Sequence, residues 1–170
     1  MRPSFVLLTT LSLAWSCFPS AALADGQCLV HETTYFSCGT TGHKSIGLCG
    51  SVPSALQYRY GKPPKVELQF PDKASDGISQ LRYAHYFRFQ TDRSEVTFTH
   101  AGVDYAVFDY TENGKRRAGV RITMPDGAEH EVRCTGPIQG HLNTLATSLP
   151  CDADNALNGG SCPRPTTARP

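Results

Sequence analysis

Seven cysteines in a chain of 170 residues constrain this fold more than any other feature. That density means a metal site, a disulfide framework with one thiol left over, or a cysteine in a segment absent from the mature protein. The N-terminus selects the last of these. Met1-Arg2 is a short positive start, and Phe5 to Trp15 is mostly apolar. Pro19 breaks the run, and Ala22-Leu23-Ala24 has the A-x-A form of a signal-peptidase site. Residues 1–24 are therefore expected to be an export signal, cut after Ala24. The apolar run is shorter than the ~20 residues that span a bilayer. No second run of that length follows, so a soluble exported protein is expected. A lipoprotein reading of Cys17 fits less well, because the bulky Trp15 stands two positions before it.

Cleavage removes Cys17 and leaves Cys28, Cys38, Cys49, Cys134, Cys151 and Cys162, an even set suited to an oxidising compartment. There is no C-x-x-C pair, and the spacings match no zinc ribbon or finger. Three disulfides are expected, with neither metal nor cofactor. Asp, Asn and Gly fill the space between Cys151 and Cys162, which suits a local loop closed by those two. The other four are expected to tie the first strands to the last, and their pairing stays open.

Composition narrows the partner. Charged residues are 18% of the chain and net charge is +1, so no basic patterning points to nucleic acid. Loss of Arg2 would balance acids and bases. At 39% hydrophobic, the chain has enough apolar material for a core.

The middle of the chain alternates with period two, the signature of strands with one buried face. Val66, Leu68 and Phe70 form one such set. Leu81, Tyr83, His85, Phe87 and Phe89 form the longest. Val96 and Phe98, then Val120, Ile122 and Met124, then His130, Val132 and Cys134 continue the pattern. Glu32–Cys38, Lys44–Cys49 and Tyr105–Tyr110 read as further strands. Asn113-Gly114 suits a type I′ hairpin turn, with Thr111-Glu112 and Lys115-Arg116-Arg117 available to extend the loop. Thr40 to His43, Asp76-Gly77, Ala101-Gly102 and Pro125-Asp126-Gly127 mark other turns. His141 to Ser148 is the one candidate for a short helix. The expected fold is all-β: an antiparallel β-sandwich or partly closed barrel of eight or nine strands, disulfide-stapled. Residues 25–150 form the β-domain. Residues 151–170 form an irregular, disulfide-pinned tail, with Pro163 to Pro170 expected to fray.

Catalytic motifs are absent: there is no G-x-S-x-G elbow, H-E-x-x-H helix or P-loop. The histidines are scattered; His85 and His100 could approach across a hairpin, without a carboxylate to complete a metal site. Glu67, Glu95, Asp104, Asp109, Glu129 and Glu131 read as outward-facing strand positions. Two regions carry the Arg/Tyr mixture favoured at protein interfaces. One is the strand face bearing Arg82, Tyr86 and Arg88. The other is Gln57 to Pro64, with Arg59. Lys115-Arg116-Arg117 adds a dense cationic hairpin tip. These seven residues, Arg59, Arg82, Tyr86, Arg88, Lys115, Arg116 and Arg117, are the candidate partner-binding set; no catalytic residue is expected.

Four blocks carry a likeness: Tyr35-Phe36-Ser37-Cys38; Lys44-Ser45-Ile46-Gly47-Leu48-Cys49; Leu56-Gln57-Tyr58-Arg59-Tyr60-Gly61-Lys62-Pro63; and Val66-Glu67-Leu68. Together they resemble a group of small exported cysteine-containing β proteins of Gram-negative bacteria, over about Cys28 to Pro71. The closing strand Glu131-Val132-Arg133-Cys134 also fits, and Ile138 to Pro170 lies outside the likeness. Some members of that group are similar to periplasmic immunity proteins of type VI secretion phospholipase effectors. The resemblance implies a periplasmic, non-enzymatic inhibitor that binds a lipase or phospholipase toxin. The alternative is a secreted envelope glycan- or lipid-binding module or hydrolase. A structural envelope component is the third possibility.

Overall fold

The structure, a computed structural model, describes residues 26–162. The export signal and the fraying of Pro163 to Pro170 lie outside the described residues. Over the described residues the fold is all-β, with ten strands: β1 Thr33–Gly39, β2 Ser45–Ser51, β3 Ala55–Gly61, β4 Leu68–Phe70, β5 Arg82–Arg88, β6 Thr91–His100, β7 Val103–Glu112, β8 Lys115–Thr123, β9 Glu129–Arg133 and β10 Ile138–Gly140. They form two five-stranded antiparallel sheets, ordered β10-β1-β2-β3-β4 (the first sheet) and β5-β6-β7-β8-β9 (the second). No strand is shared between the sheets, so the arrangement is sandwich-like. The strand count exceeds the expected eight or nine. The Arg/Tyr segment Gln57 to Pro64 lies in strand β3 as far as Gly61, and the short β10 pairs along β1 through Cys38 and Ile138.

The core lies between the sheets. Phe36, Ile46, Leu48, Leu56 and Tyr58 from the first sheet meet Tyr83, Val96, Phe98, Val107 and Val120 from the second. Leu142, Leu145 and Leu149 belong to the same cluster. Each large side chain buried this way contributes roughly 1.5–3 kcal/mol, several times the worth of an exposed ion pair. Phe98 anchors an aromatic stack, with Phe70 at 4.5 Å and Tyr105 at 4.8 Å between ring centroids. His141 to Ser148 forms no α-helix. A single 3₁₀ turn over Leu142–Leu145 suffices to bury the leucines.

The turns follow the sequence closely. Asn113 and Gly114 take φ of 49° and 75°, both left-handed, and Glu112 pairs directly with Lys115. The loop is therefore two residues long, and Lys115-Arg116-Arg117 belongs to the strand. Ala101 and Gly102 also take positive φ, joining His100 to Val103. Gly77 is different. Its φ of −59° places it in the short helix α1, Gly77–Gln80, where the sequence suggested a turn.

Alternation in β5 gave a false burial. Leu81 and Tyr83 enter the core as expected, but Phe87 is 71% exposed and Phe89 86%. The reason is length. Strands β6 and β7 have ten residues each, against seven in β1, β2 and β3. At about 3.3 Å per residue the second sheet outruns the first by about 10 Å, so its core-side face emerges into solvent near the β5–β6 turn.

Three disulfides fasten these layers. Cys28–Cys49 pins the N-terminal segment onto the outer side of the first sheet. Cys38–Cys134 joins β1 to the residue following β9, and so links the two sheets. Cys151–Cys162 closes the expected local loop. Of the four remaining cysteines expected to tie first strands to last, only the Cys38–Cys134 pair does so.

Candidate functional site

Register assembles the site. Two-residue hairpins place Tyr86 opposite Arg93, Arg93 opposite Tyr110, and Tyr110 opposite Arg117. Strand alternation puts this row on the face of the second sheet that points away from the core. The row toward the turns runs Arg88, Thr91, Glu112, Lys115; two residues inward lie Ala84, Glu95, Phe108 and Gly119, and four residues inward Arg82, Thr97, Ala106 and Arg121. Five of the seven candidate residues, Arg82, Tyr86, Arg88, Lys115 and Arg117, thus share one face although they come from two hairpins.

The row is knit by cation–π contacts. Arg93 and Arg117 flank the Tyr110 ring, at 5.4 and 5.6 Å from its centroid. Arg117 also lies 5.5 Å from the Phe108 ring, and Arg88 lies 6.0 Å from Tyr86. Distances within about 6 Å are attractive. Arg93 is further held by Glu112 at 2.6 Å.

The other two candidates are committed elsewhere. Arg116 points to the opposite side of β8. There its Nε and Nη2 donate to Asp109 at 2.7 and 2.8 Å, and its Nη2 also donates to the Gly140 carbonyl. Arg59 is only 7% exposed. Its Nη1 and Nη2 grip Glu32 at 2.5 and 2.7 Å, and its Nε donates to Gln57 at 2.9 Å. Arg59 therefore holds the N-terminal segment and is enclosed in the fold, apart from the candidates that share the second sheet's outer face.

Inward from the row sits Glu95, 1% exposed and not the outward solvent position its alternation suggested. Its carboxylate accepts from the Tyr110 hydroxyl, from Arg121 Nη2 at 2.8 Å and from Asn155 Nδ2 at 2.6 Å. Burial, reinforced by the Glu95 hydrogen bond and charge, pushes the Tyr110 hydroxyl up to about 12. Burial also pulls Arg121 down, but its bonds and attraction to Tyr110 and Glu95 outweigh that and hold it above its ordinary value. Asn155 comes from the Cys151–Cys162 loop, which crosses the sheet here. Thr97 donates to Asp152, and Tyr83 exchanges backbone bonds of 2.8 Å with Pro150 and Asp152.

Beside this network lies a cleft of about 720 Å³. Arg82, Glu95, Asp104, Arg121, Asp152 and Asp154 are among its lining residues. Glu95 and Asp104 thus converge on one cleft, while Glu67 is apart, paired with Lys44 at 2.6 Å. His85 does not meet His100. It bonds Asp92 at 2.9 Å, and His100 lies edge-on to Phe70. Among the described residues no group of His, Cys, Asp or Glu is arranged to hold a metal.

Sequence reasoning passed over Arg93, Glu95, Tyr110, Arg121 and Asn155. Asn113-Gly114 and Ala101-Gly102 contained the signal for all but Asn155. Once each is a two-residue turn, counting back sets Tyr110 against Arg117 and Arg93 against Tyr110. No protein-family model matches the chain, and no curated protein or solved structure matches it either.

Proposed function

We propose that this chain is a periplasmic, non-enzymatic binding protein whose second sheet presents its outer face to a protein partner. The observation that carries the reading is the row Tyr86, Arg93 and Arg117, ordered around the buried ring of Tyr110. Arg and Tyr dominate interface energetics because they combine contact area with hydrogen bonding. Here hairpin ladders and cation–π contacts already order them, so binding forfeits little side-chain entropy. Glu95 supports a scaffold role over catalysis: it is 1% exposed, and its carboxylate is already held by three donors from three different segments. With the resemblance to periplasmic immunity proteins, the most specific form of the proposal is an inhibitor of a lipase or phospholipase toxin. The test screens purified mature protein against lipases and phospholipases encoded near its gene. A tight complex and abolished lipase activity are expected. The double substitution Tyr86→Ala and Arg117→Ala should weaken the complex by about 2 kcal/mol or more, roughly 30-fold. Unimpaired binding by that variant would overturn the assignment of the face.

The cleft favours a second reading, a glycan- or lipid-binding module or hydrolase. Envelope glycan fragments should then perturb the NMR signals of Thr97, Asp104 and Thr123, and hydrolysis should vanish in Glu95→Gln. Silence in both experiments removes it.

A further inference from the structure

The β5–β6 and β7–β8 hairpins end side by side. The β5–β6 turn is Phe89-Gln90 and the β7–β8 turn is Asn113-Gly114, and the Asn113 N–H donates to the Gln90 carbonyl at 2.9 Å. This bond makes one rigid end from two turns. It carries Phe87 and Phe89, 71% and 86% exposed. Large apolar side chains this exposed, adjacent in sequence and clear of the opposite sheet, call for an occupant.

Charge identifies its chemistry. The acids near this end are engaged within the fold: Glu112 is paired with Arg93, Asp109 with Arg116, and Asp92 is hydrogen-bonded to His85, which offsets its charge only when protonated. Arg88 and Lys115 have no ion-pair partner among the described residues, and Arg117 reaches Glu131 only at 3.7 Å. Asp92, the cross-strand neighbour of Phe87, is outweighed by Arg88, Lys115 and Arg117, so the balance of charge beside the two phenylalanines is positive. Arg88 and Lys115 stand in the last ladder row before the turns, next to the exposed rings. Apolar rings at a tip with cations set just behind match a bilayer interface, where an acyl region underlies anionic headgroups.

We infer that this double-hairpin end docks on an anionic phospholipid surface, seating Phe87 and Phe89 among the lipid headgroups and acyl chains while Arg88 and Lys115 engage lipid phosphates. The inference does not depend on the protein-partner reading. It places the outer face of the second sheet beside a membrane.

The experiment is co-sedimentation of the mature protein with two kinds of vesicle. One is phosphatidylethanolamine with phosphatidylglycerol, and the other is phosphatidylcholine alone. Binding is expected to the first, to weaken with added salt, and to fall at least about tenfold in the double variant Phe87→Ser and Phe89→Ser. Both positions are exposed, so the variant should retain the wild-type circular dichroism. A second measurement uses Phe89→Trp. The sole tryptophan of the sequence is Trp15, so the mature variant carries one indole. Its emission should shift to the blue with the anionic vesicles. No wild-type binding to them, or equal binding by the double serine variant, overturns the inference. So does a double serine variant that keeps vesicle binding and loses a protein partner, because the rings would then be a protein contact.

Discussion

Arg59→Ala separates a scaffold arginine from a contact arginine. The guanidinium makes two bonds to Glu32, one to the Gln57 side chain and one to the Gln27 carbonyl. Both charged side chains are nearly enclosed, at 8% and 9% exposure. Removing one partner of a buried pair costs about 3–5 kcal/mol, because the other charge stays behind unpaired. Two features select the low end. The segment carrying Glu32 lies next to the N-terminal end of the described residues, and Cys28–Cys49 keeps it from leaving. The expected loss is therefore about 3 kcal/mol, or about 10 °C in Tm for a domain of this size. Urea unfolding should show a lower midpoint with an unchanged slope. The pair Glu32→Leu with Arg59→Met should recover most of the loss, since an apolar pair needs no desolvation. The pH dependence has a definite sign. Burial raises the Glu32 carboxyl, but the Arg59 hydrogen bond, the Leu29 N–H and the neighbouring positive charges outweigh it and hold the group below its ordinary 4.5. A depressed carboxylate stabilises above its unfolded value, and that contribution disappears as pH falls through the folded value. The difference between wild type and Arg59→Ala should be flat near neutrality and shrink below about pH 4.5. A variant as stable as wild type, or a stable one that has lost a partner, would refute the reasoning.

Three further outcomes follow from the same contacts. Spectrophotometric titration should show Tyr110 ionising near 12, above exposed tyrosines, and Glu95→Gln should bring it down by removing the carboxylate charge. Gly119→Ala should destabilise by at least about 2 kcal/mol in thermal melts, because an added Cβ would lie 2.3 Å from the Val132 carbonyl oxygen and 3.0 Å from Phe108. Cys38→Ala with Cys134→Ala opens a link between residues 96 apart, and chemical denaturation should register a loss of about 4 kcal/mol.

What could be read from sequence divides along the range of the interaction. Alternation and turn chemistry are local, so β6 to β9 and the Asn113-Gly114 turn were legible at once. The local loop Cys151–Cys162 was legible for the same reason. Arg59 was misread because its counter-charge, Glu32, lies 27 residues away, and nothing near Arg59 announces burial. Phe87 and Phe89 were misread because alternation reports which face a residue takes, and says nothing of how far the opposite sheet extends. The short β10 escaped because three residues give no period to detect. Its pairing comes from β1, about a hundred residues earlier. Glu95 looked like a solvent position because its cover, Asn155, arrives from the C-terminal loop.

These long-range covers also account for where the exposed chemistry lies. On the first sheet the N-terminal segment closes over Arg59, and Gln27 donates to the Gly61 carbonyl at 2.8 Å, so that outer face is occupied by the chain itself. On the second sheet the Cys151–Cys162 loop covers the inner rows. It satisfies Glu95, takes up the backbone of Tyr83 and bonds the His85 N–H through Asn158. The loop's backbone bonds to β5 end at Tyr83, and beyond His85 the edge strand runs on uncovered to Arg88. Left open are Tyr86, Arg93 and Arg117 around the buried Tyr110, and the row Arg88–Lys115, together with the overhanging Phe87 and Phe89. A fold that pins two irregular segments over its sheets yet leaves this end bare concentrates its aromatic and cationic groups where a partner or a bilayer can reach them. Extending the loop's cover by one strand residue, so that it masks Tyr86, should abolish binding without lowering stability.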